Sequence, residues 1–232
     1  MSFLSLNDHL SDAGAHWLEA ALADVRETPT ATARHFPAAS RRCGRAPLHA
    51  EDPLGLTHGT IDDAVRARLL SSITLGGAEL VDLLDDLYRH GDAGEKRGVL
   101  RALHLLEGLG DDLLPLVEDA LRTNDVRLVA GALQPYGARV LGADAYRHAV
   151  VKCVFTGVPL HVIGNLCQRQ DPELARMLVD LAHERAAAGR EIPADIHAVI
   201  AAFPECLDRS DLSAALVSAL QSAPAPNRTA PQ

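Results

Sequence analysis

Aromatic side chains are scarce in this chain. Phe, Trp and Tyr make up only 3% of its 232 residues, although 47% of the residues are hydrophobic. The core must therefore be built mainly from Leu, Ala and Val, a composition typical of packed helices, whereas β-sheets favour aromatic and β-branched residues. A chain of this length can form one substantial core. The composition predicts helices and argues against a β-sandwich.

Closely spaced cysteines are also absent. The chain has four cysteines, and no two of them form a CxxC pair. This absence argues against a zinc ribbon, and a chain of this size has little need of a disulfide framework.

The chain has neither a positive charge balance nor a long apolar run. Its 22 Lys and Arg residues face 31 Asp and Glu residues, which gives a net charge of −9. A general nucleic-acid binder needs a concentrated basic face, and a membrane span needs about 20 apolar residues. No secretory signal pattern begins the sequence. We therefore predict a soluble, cytoplasmic protein with no nucleic-acid partner and no transmembrane segment, although a local basic pocket for a phosphorylated small molecule is compatible with this composition.

Apolar residues recur at helical spacing along most of the chain. They predict a first helix at 8–27, and Thr60 is a suitable N-cap for a helix that begins at residue 61. Asp171 followed by Pro172 predicts another helix start. The remaining helices are predicted at 61–73, 77–90, 93–107, 111–123, 125–134, 144–156, 171–188, 194–202 and 211–221.

These helices predict an all-α fold. Because short turns join them, we expect antiparallel helical hairpins stacked as a HEAT-like or irregular helical array. We expect a single helical domain over residues 1–205, with an irregular excursion at about 29–60. A C-terminal helix at 206–222 and a disordered tail at 223–232 complete the predicted organisation.

Polar and charged residues recur between Arg122 and Arg190, in a run that is otherwise apolar. A helical core accepts such residues only when they are paired, so they are candidates for a site. The candidates for ligand or partner binding are Asn124, Asp125, Tyr136, His148, Lys152, Cys153, Arg169 and Arg185.

Three of the polar residues are candidates for acid–base catalysis. His183 and Glu184 lie on one predicted helix, and histidine can transfer protons near neutral pH. Lys152 follows three apolar residues, and desolvation would lower its pKa. Cys153, beside this lysine, is either a reactive thiolate or a small buried residue. No P-loop, GxGxxG, GxSxG or HExxH motif is present, so the catalytic residues are unknown.

Two acidic patterns have the spacing of metal ligands. Asp82 and Asp86 are four residues apart, as in sites that hold Mg²⁺ against a diphosphate, and Asp180 shares a helix face with His183 and Glu184. Neither pattern has a second set of ligands elsewhere in the sequence. We therefore interpret the first as a solvated helix face and the second as a hydrogen-bonded network that joins two helices, and we expect no metal and no cofactor.

Several short pieces of the chain together form a family pattern. They are Thr123-Asn124, Pro135-Tyr136, Tyr146, VKCVFTGVPL at 151–160, Arg169 and the block at 173–190, with weaker matches at 36–48 and 100–106. These pieces resemble the EboA-like family. Residues 1–30 and those after about 205 lie outside the resemblance, which covers about two-thirds of the chain.

The resemblance implies an accessory role in secondary metabolism and no defined reaction. In bacteria and algae, the family is similar to the first component of a gene cluster that moves or processes metabolite precursors toward the periplasm. The implied partners are a membrane prenyltransferase-like protein or another biosynthetic protein, or a small isoprenoid or aromatic metabolite.

We therefore expect an accessory protein of secondary-metabolite biosynthesis or precursor export. It binds a partner protein or a small precursor through the polar face of the helices at 144–156 and 171–188. One alternative is an enzyme that acts on an isoprenoid or aromatic metabolite, with His183, Glu184 and Lys152 as its acid–base groups. Another is a purely structural role, in which the same residues hold helices together.

Overall fold

A computed structural model describes residues 6–222, and these residues divide into two compact units. The N-terminal unit ends at Leu141 and the C-terminal unit begins at Gly142. Within the described range the regular structure is helical without a strand, which confirms the all-α prediction. No helix in this range is long and apolar enough to cross a membrane. The predicted tail at 223–232 lies outside the described residues.

The N-terminal unit is organised around helix α5. This helix packs against α3, α4 and α7, and α3 also packs against α2. The helices of this unit within the described range are α1 (Asp12–Glu27), α2 (Thr32–Cys43), α3 (Ile61–Ser71), α4 (Gly77–Arg89), α5 (Ala93–Ala102), α6 (Leu114–Arg122), α7 (Val126–Ala132) and α8 (Pro135–Val140).

The C-terminal unit is organised around helix α11, which packs against α9 and α12. Its helices within the described range are α9 (Ala143–Thr156), α10 (Leu166–Arg169), α11 (Pro172–Ala187), α12 (Ile196–Ala201) and α13 (Ala214–Ser222). Every predicted helix position contains an observed α-helix. The HEAT-like stacking of hairpins and the single domain over 1–205 stay predictions.

The predicted helix starts are confirmed where a polar side chain begins the helix. Thr60 is the N-cap of α3, and its backbone amide donates to the carboxylate of Asp63 at 3.1 Å. Asp171 is the N-cap of α11, and its carboxylate accepts a hydrogen bond from the Leu174 amide at 2.8 Å. Pro172 is the first helical residue, where its missing N–H costs nothing.

The segment at 29–60 is irregular only in part, which corrects the prediction. Helix α2 lies within it and contains Pro37. Proline inside a helix removes a hydrogen bond and costs about 3 kcal/mol, so the local pattern opposes a helix here. The packing of α2 against α1 and α3, which buries Phe36 completely, offsets that cost. The irregular part is the connection at 44–60.

Candidate functional site

A cleft in the N-terminal unit brings together most of its buried charged side chains. It has a volume of about 360 Å³ and lies where α3, α5 and α7 begin, beside the segment at 44–60. We call it the arginine cleft, because four of its six charged lining residues are arginines. These six residues are Arg45, Arg66, Arg97, Arg127, Asp62 and Asp92.

Arg66 forms the floor of the arginine cleft and is only 1% exposed. Its Nη1 donates to Asp62 Oδ2 at 2.6 Å and to the Gly94 carbonyl at 3.2 Å. Its Nε donates to the Phe36 carbonyl at 3.3 Å, and the guanidinium lies 5.4 Å from the centre of the Phe36 ring. A buried charge requires such partners, and the partners of Arg66 lie on three helices, α2, α3 and α5.

Arg97 extends this buried network from α5. Its Nε donates to Asp63 Oδ1 at 2.7 Å, and its Nη2 donates to Thr60 Oγ1 at 2.8 Å. The Thr60 hydroxyl in turn donates to Asp62 Oδ1 at 2.6 Å. The network therefore holds the first turn of α3 against α5 and fixes the side chains at the inner end of the cleft.

A glycine makes room for this arrangement. A Cβ atom at position 98 of α5 would lie 2.5 Å from Cδ of Arg66, which is closer than such atoms can approach. Glycine inside a helix is less stable than alanine by roughly 0.5–1 kcal/mol, so the helix carries a local cost at this position. The aliphatic part of Arg66 occupies the space that a larger residue would fill.

Hydrogen bonds hold the segment at 44–60, which forms the outer wall of the cleft. The Asp52 carboxylate accepts from the amides of Leu56, Thr57 and His58 at 2.9, 2.9 and 2.8 Å. Burial acts to raise the pKa of Asp52, but these amide hydrogen bonds outweigh it and lower the pKa. Arg101 donates to the carbonyls of Leu56 and Thr57 at 3.1 and 3.0 Å. The segment at 44–60 is therefore held in place by hydrogen bonds within itself and by hydrogen bonds from Arg101.

The rim of the cleft carries two exposed arginines from different parts of the unit. Arg45 donates to Ser40 Oγ at 3.1 Å and, within residues 6–222, has no carboxylate oxygen within 4.0 Å. Arg127 forms an ion pair with Asp125 at 2.9 Å, and this hydrogen bond raises the pKa of the guanidinium. Within the described residues the rim therefore presents one guanidinium without a carboxylate partner, that of Arg45, and one that is paired, that of Arg127.

The two carboxylates that line the cleft already have partners. Asp62 is held by Arg66 and Thr60 deep in the wall and is 2% exposed. Asp92 is the N-cap of α5, and its carboxylate accepts from the Glu95 amide at 2.9 Å. Asp63 and Asp125, just outside the lining, pair with Arg97 and Arg127.

Three of the predicted binding residues lie in the N-terminal unit. Asn124 is exposed, and Asp125 is the N-cap of α7, where it accepts from the Arg127 amide at 2.9 Å. Tyr136 is buried, its hydroxyl accepts from the Leu113 amide at 3.3 Å, and burial raises its pKa. Asp125 thus lies next to the arginine cleft, because its partner Arg127 lines that cleft. Tyr136 instead has a structural role, because its hydroxyl binds a backbone amide.

Three further candidates lie on α9 of the C-terminal unit. His148 is exposed, with Nδ1 at 2.8 Å from the Asp144 carbonyl, and Lys152 is half-buried. Cys153 is fully buried, and burial raises the pKa of its thiol to about 12. The thiol is therefore protonated at neutral pH, which favours the buried residue over the reactive thiolate.

Arg169 and Arg185 make separate contacts in the same unit. The Arg169 guanidinium lies 4.1 Å from the centre of the Tyr146 ring. Arg185 Nε donates to the Glu191 carbonyl at 2.7 Å, just beyond the end of α11.

The catalytic candidates are divided between two helices. His183 and Glu184 lie on α11, and Lys152 lies on α9. His183 Nδ1 is 4.0 Å from Asp211 Oδ2, and Glu184 is exposed.

A groove of about 520 Å³ lies between the start of α11 and the α9 side chains. Arg147, Arg176 and Arg209 line it, and each is held by a carboxylate at 2.7 Å. Arg147 of α9 makes its contact with Asp171, the N-cap of α11, so this pair joins the two helices. The arginines of this groove are neutralised by these partners, in contrast to Arg45 at the rim of the arginine cleft.

The inner residues of the arginine cleft were not predicted as a site. Two signals in the sequence point toward them. Arg66 follows Asp62 by four positions, the spacing of a helix ion pair, and Gly98 lies inside a predicted helix where glycine is unfavourable. Neither signal indicates that the charged groups are buried, because burial depends on how α2, α3 and α5 pack.

The fold and the cleft together define an all-helical protein with a charged pocket. Its volume falls in the range of about 300–1,000 Å³ that is typical of small-molecule sites. The sequence model of a family described as metabolite traffic protein EboA matches residues 3–201. The chain therefore belongs to the EboA family, as its resemblance indicated.

The family match also corrects the extent of that resemblance. It begins at residue 3 and so includes α1, which the resemblance had left outside. No curated protein and no solved structure matches this chain.

Proposed function

We propose that this EboA-family protein is an accessory protein of secondary-metabolite biosynthesis or precursor export that binds a small precursor in the arginine cleft. The family description as a metabolite traffic protein supports the accessory role. The cleft itself is the observation that supports this choice of site. It is lined by two buried arginines, Arg66 and Arg97, and by two exposed ones, Arg45 and Arg127.

The buried network supports a binding role because it prepares the site before a ligand arrives. Arg66 and Arg97 are each fixed by several hydrogen bonds, so their order does not depend on a ligand. A preorganised site loses less side-chain entropy on binding than a flexible one. The buried network therefore favours the arginine cleft as the site of a small precursor.

Native mass spectrometry of gently purified protein tests this function. We expect a reproducible excess mass, of small-molecule size, that is lost on denaturation. The double variant Arg45→Ala/Arg127→Ala should lose this mass, because both rim cations are removed. Arg41→Ala is the matched control, since Arg41 is also exposed but does not line the cleft.

Two results would contradict the proposal. One is an excess mass that the double variant retains in full. The other is a clean apo mass for the unmodified protein even after incubation with a small-molecule extract of the producing cells.

Partner binding through α9 and α11 stays a second proposal. Phe155 is 67% exposed on α9, three residues after Lys152, and His148 is exposed on the same helix. A membrane prenyltransferase-like protein or another biosynthetic protein is the partner class that the family resemblance implied. Lys152→Ala and Arg185→Ala should each weaken capture of such a partner, and intact capture by both variants removes this proposal.

The enzymatic alternative rests on His183, Glu184 and Lys152. Its test is turnover of an isoprenoid or aromatic metabolite, which His183→Ala should abolish while the thermal unfolding curve stays unchanged. Turnover that survives this substitution would remove His183 from the mechanism.

A further inference from the structure

We infer that the ligand of the arginine cleft is a phosphorylated organic molecule, an inference that rests on the proposed function of the cleft. It names the chemical class of the ligand, which neither the family description nor the volume of the cleft specifies. Charge, hydrogen-bonding groups and the apolar part of the rim each contribute to it.

The unpaired arginine of the lining favours an anion. Four arginines line the cleft together with two aspartates, and Asp63 and Asp125, just outside the lining, pair with Arg97 and Arg127. Among the described residues, Arg45 is the arginine of the lining that has no carboxylate oxygen within 4.0 Å. A phosphate group, which is anionic and has several strong acceptor oxygens, would supply the partner that Arg45 lacks.

The rim arginines are the groups that reach the ligand. Arg66 and Arg97 already donate to Asp62, Asp63 and Thr60, and these two carboxylates balance their charge. Arg45 has only the Ser40 hydroxyl as a side-chain partner among the described residues. Arg127 is exposed and uses its Nε and Nη2 groups to bind Asp125. A guanidinium donates two parallel hydrogen bonds to phosphate oxygens, so two arginines from different elements can hold one phosphate group from two sides.

The outer part of the rim is apolar, which favours an organic phosphate over a free inorganic ion. Pro53 and Leu54 line the cleft there, and Leu54 is 52% exposed, one of the large hydrophobic side chains exposed in the described structure. Small-molecule sites combine such apolar surface with a few fixed polar groups. The organic part of the ligand would cover Leu54 while its phosphate contacts the arginines.

Isothermal titration calorimetry with the full chain tests the ligand class, using inorganic pyrophosphate, inorganic phosphate and malonate as probes. We expect pyrophosphate to bind more tightly than malonate, with weaker binding at higher ionic strength. Arg45→Ala and Arg127→Ala should each weaken pyrophosphate binding by about tenfold or more, because each removes charged hydrogen bonds. Arg41→Ala should leave the affinity unchanged, and thermal unfolding curves establish that every variant is folded.

A second probe tests the apolar contact. Phenyl phosphate should bind more tightly than inorganic phosphate, and Leu54→Ser should remove this difference while leaving pyrophosphate binding in place. Equal affinities of phenyl phosphate and inorganic phosphate would overturn the organic part of the inference.

The outcomes separate this inference from the function on which it rests. If malonate binds at least as tightly as pyrophosphate, or if Arg41→Ala weakens binding as much as Arg45→Ala, the phosphate class is overturned. If the protein carries an excess mass that depends on Arg45 and Arg127 but that pyrophosphate does not displace, the cleft is a binding site for another class. If neither an excess mass nor probe binding is found, both the function and the ligand class are overturned.

Discussion

Two aspartate–arginine pairs of the N-terminal unit have the same spacing but differ in solvent exposure. Asp62–Arg66 and Asp85–Arg89 are both four residues apart on a helix, at 2.6 and 2.5 Å. The side chains of the first pair are 1–3% exposed, whereas those of the second are 36–58% exposed. Because water screens the second pair and not the first, the two pairs contribute differently to stability.

Arg66→Ala should lower the free energy of unfolding by about 3–5 kcal/mol, because it removes the nearer cation of the buried Asp62 carboxylate and leaves only Arg97 at 3.6 Å. Arg89→Ala, the matched control, should change it by no more than about 1 kcal/mol. Urea unfolding of both variants measures the difference. Equal losses in the two variants would show that burial does not set the strength of the Asp62–Arg66 pair.

Helix α5 contributes to the arginine cleft, and its Gly98 leaves the space that the Arg66 side chain occupies. A Cβ atom at Gly98 would lie 2.5 Å from Cδ of Arg66, whereas a Cβ atom at Gly131 of α7 would meet Leu100 at 3.4 Å, an ordinary contact. Both glycines are helical, so their replacement by alanine raises helix propensity equally. Only the packing against α3 distinguishes them.

Gly98→Ala should therefore lower the free energy of unfolding by about 1–3 kcal/mol, the range of an overpacked site. Gly131→Ala should be neutral or stabilising by up to about 1 kcal/mol, because it gains helix propensity without a close contact. Thermal or urea unfolding measures both changes. A stabilised Gly98→Ala protein would mean that Arg66 can leave its position without cost.

The free energy of unfolding of the whole chain should decrease at acid pH. The hydrogen bond from Arg147 holds the pKa of Asp171 below its usual value, and Arg127 lowers the pKa of Asp125 in the same way. A carboxyl group whose pKa is lower in the folded state stabilises that state above the unfolded pKa of about 3.9. This contribution is lost as the pH falls through the folded pKa, so unfolding becomes easier below about pH 4.

Asp171→Asn tests the sign of this dependence. Asparagine is also a good N-cap, so the substitution removes the charge and keeps the cap of α11. The unmodified protein should have the higher melting temperature at pH 7, and the difference should shrink as the pH falls from 5 to below 4. Asp144→Asn is the control, since Asp144 also pairs with Arg147 but its side chain is 89% exposed. A difference that grows on acidification would contradict the assignment.

The helical class and most helix positions follow from the amino-acid sequence, because both depend on local properties. Leu, Ala and Val at helical spacing predict α1 from its buried face, which includes Leu18 and Leu22. Thr60 and Asp171 mark helix starts because their side chains can accept hydrogen bonds from first-turn amides near them in the chain. These features need no knowledge of what lies across the core.

The existence of α2 and the position of the site depend instead on contacts between distant parts of the chain. Pro37 opposes a helix locally, and the packing of Phe36 against other elements overrides it. Arg97 reaches Asp63 across 34 positions of sequence, so the arginine cleft exists only once α3 and α5 have packed together. A buried ion pair is set by the neighbours that exclude water from it, and those neighbours are far apart in the chain.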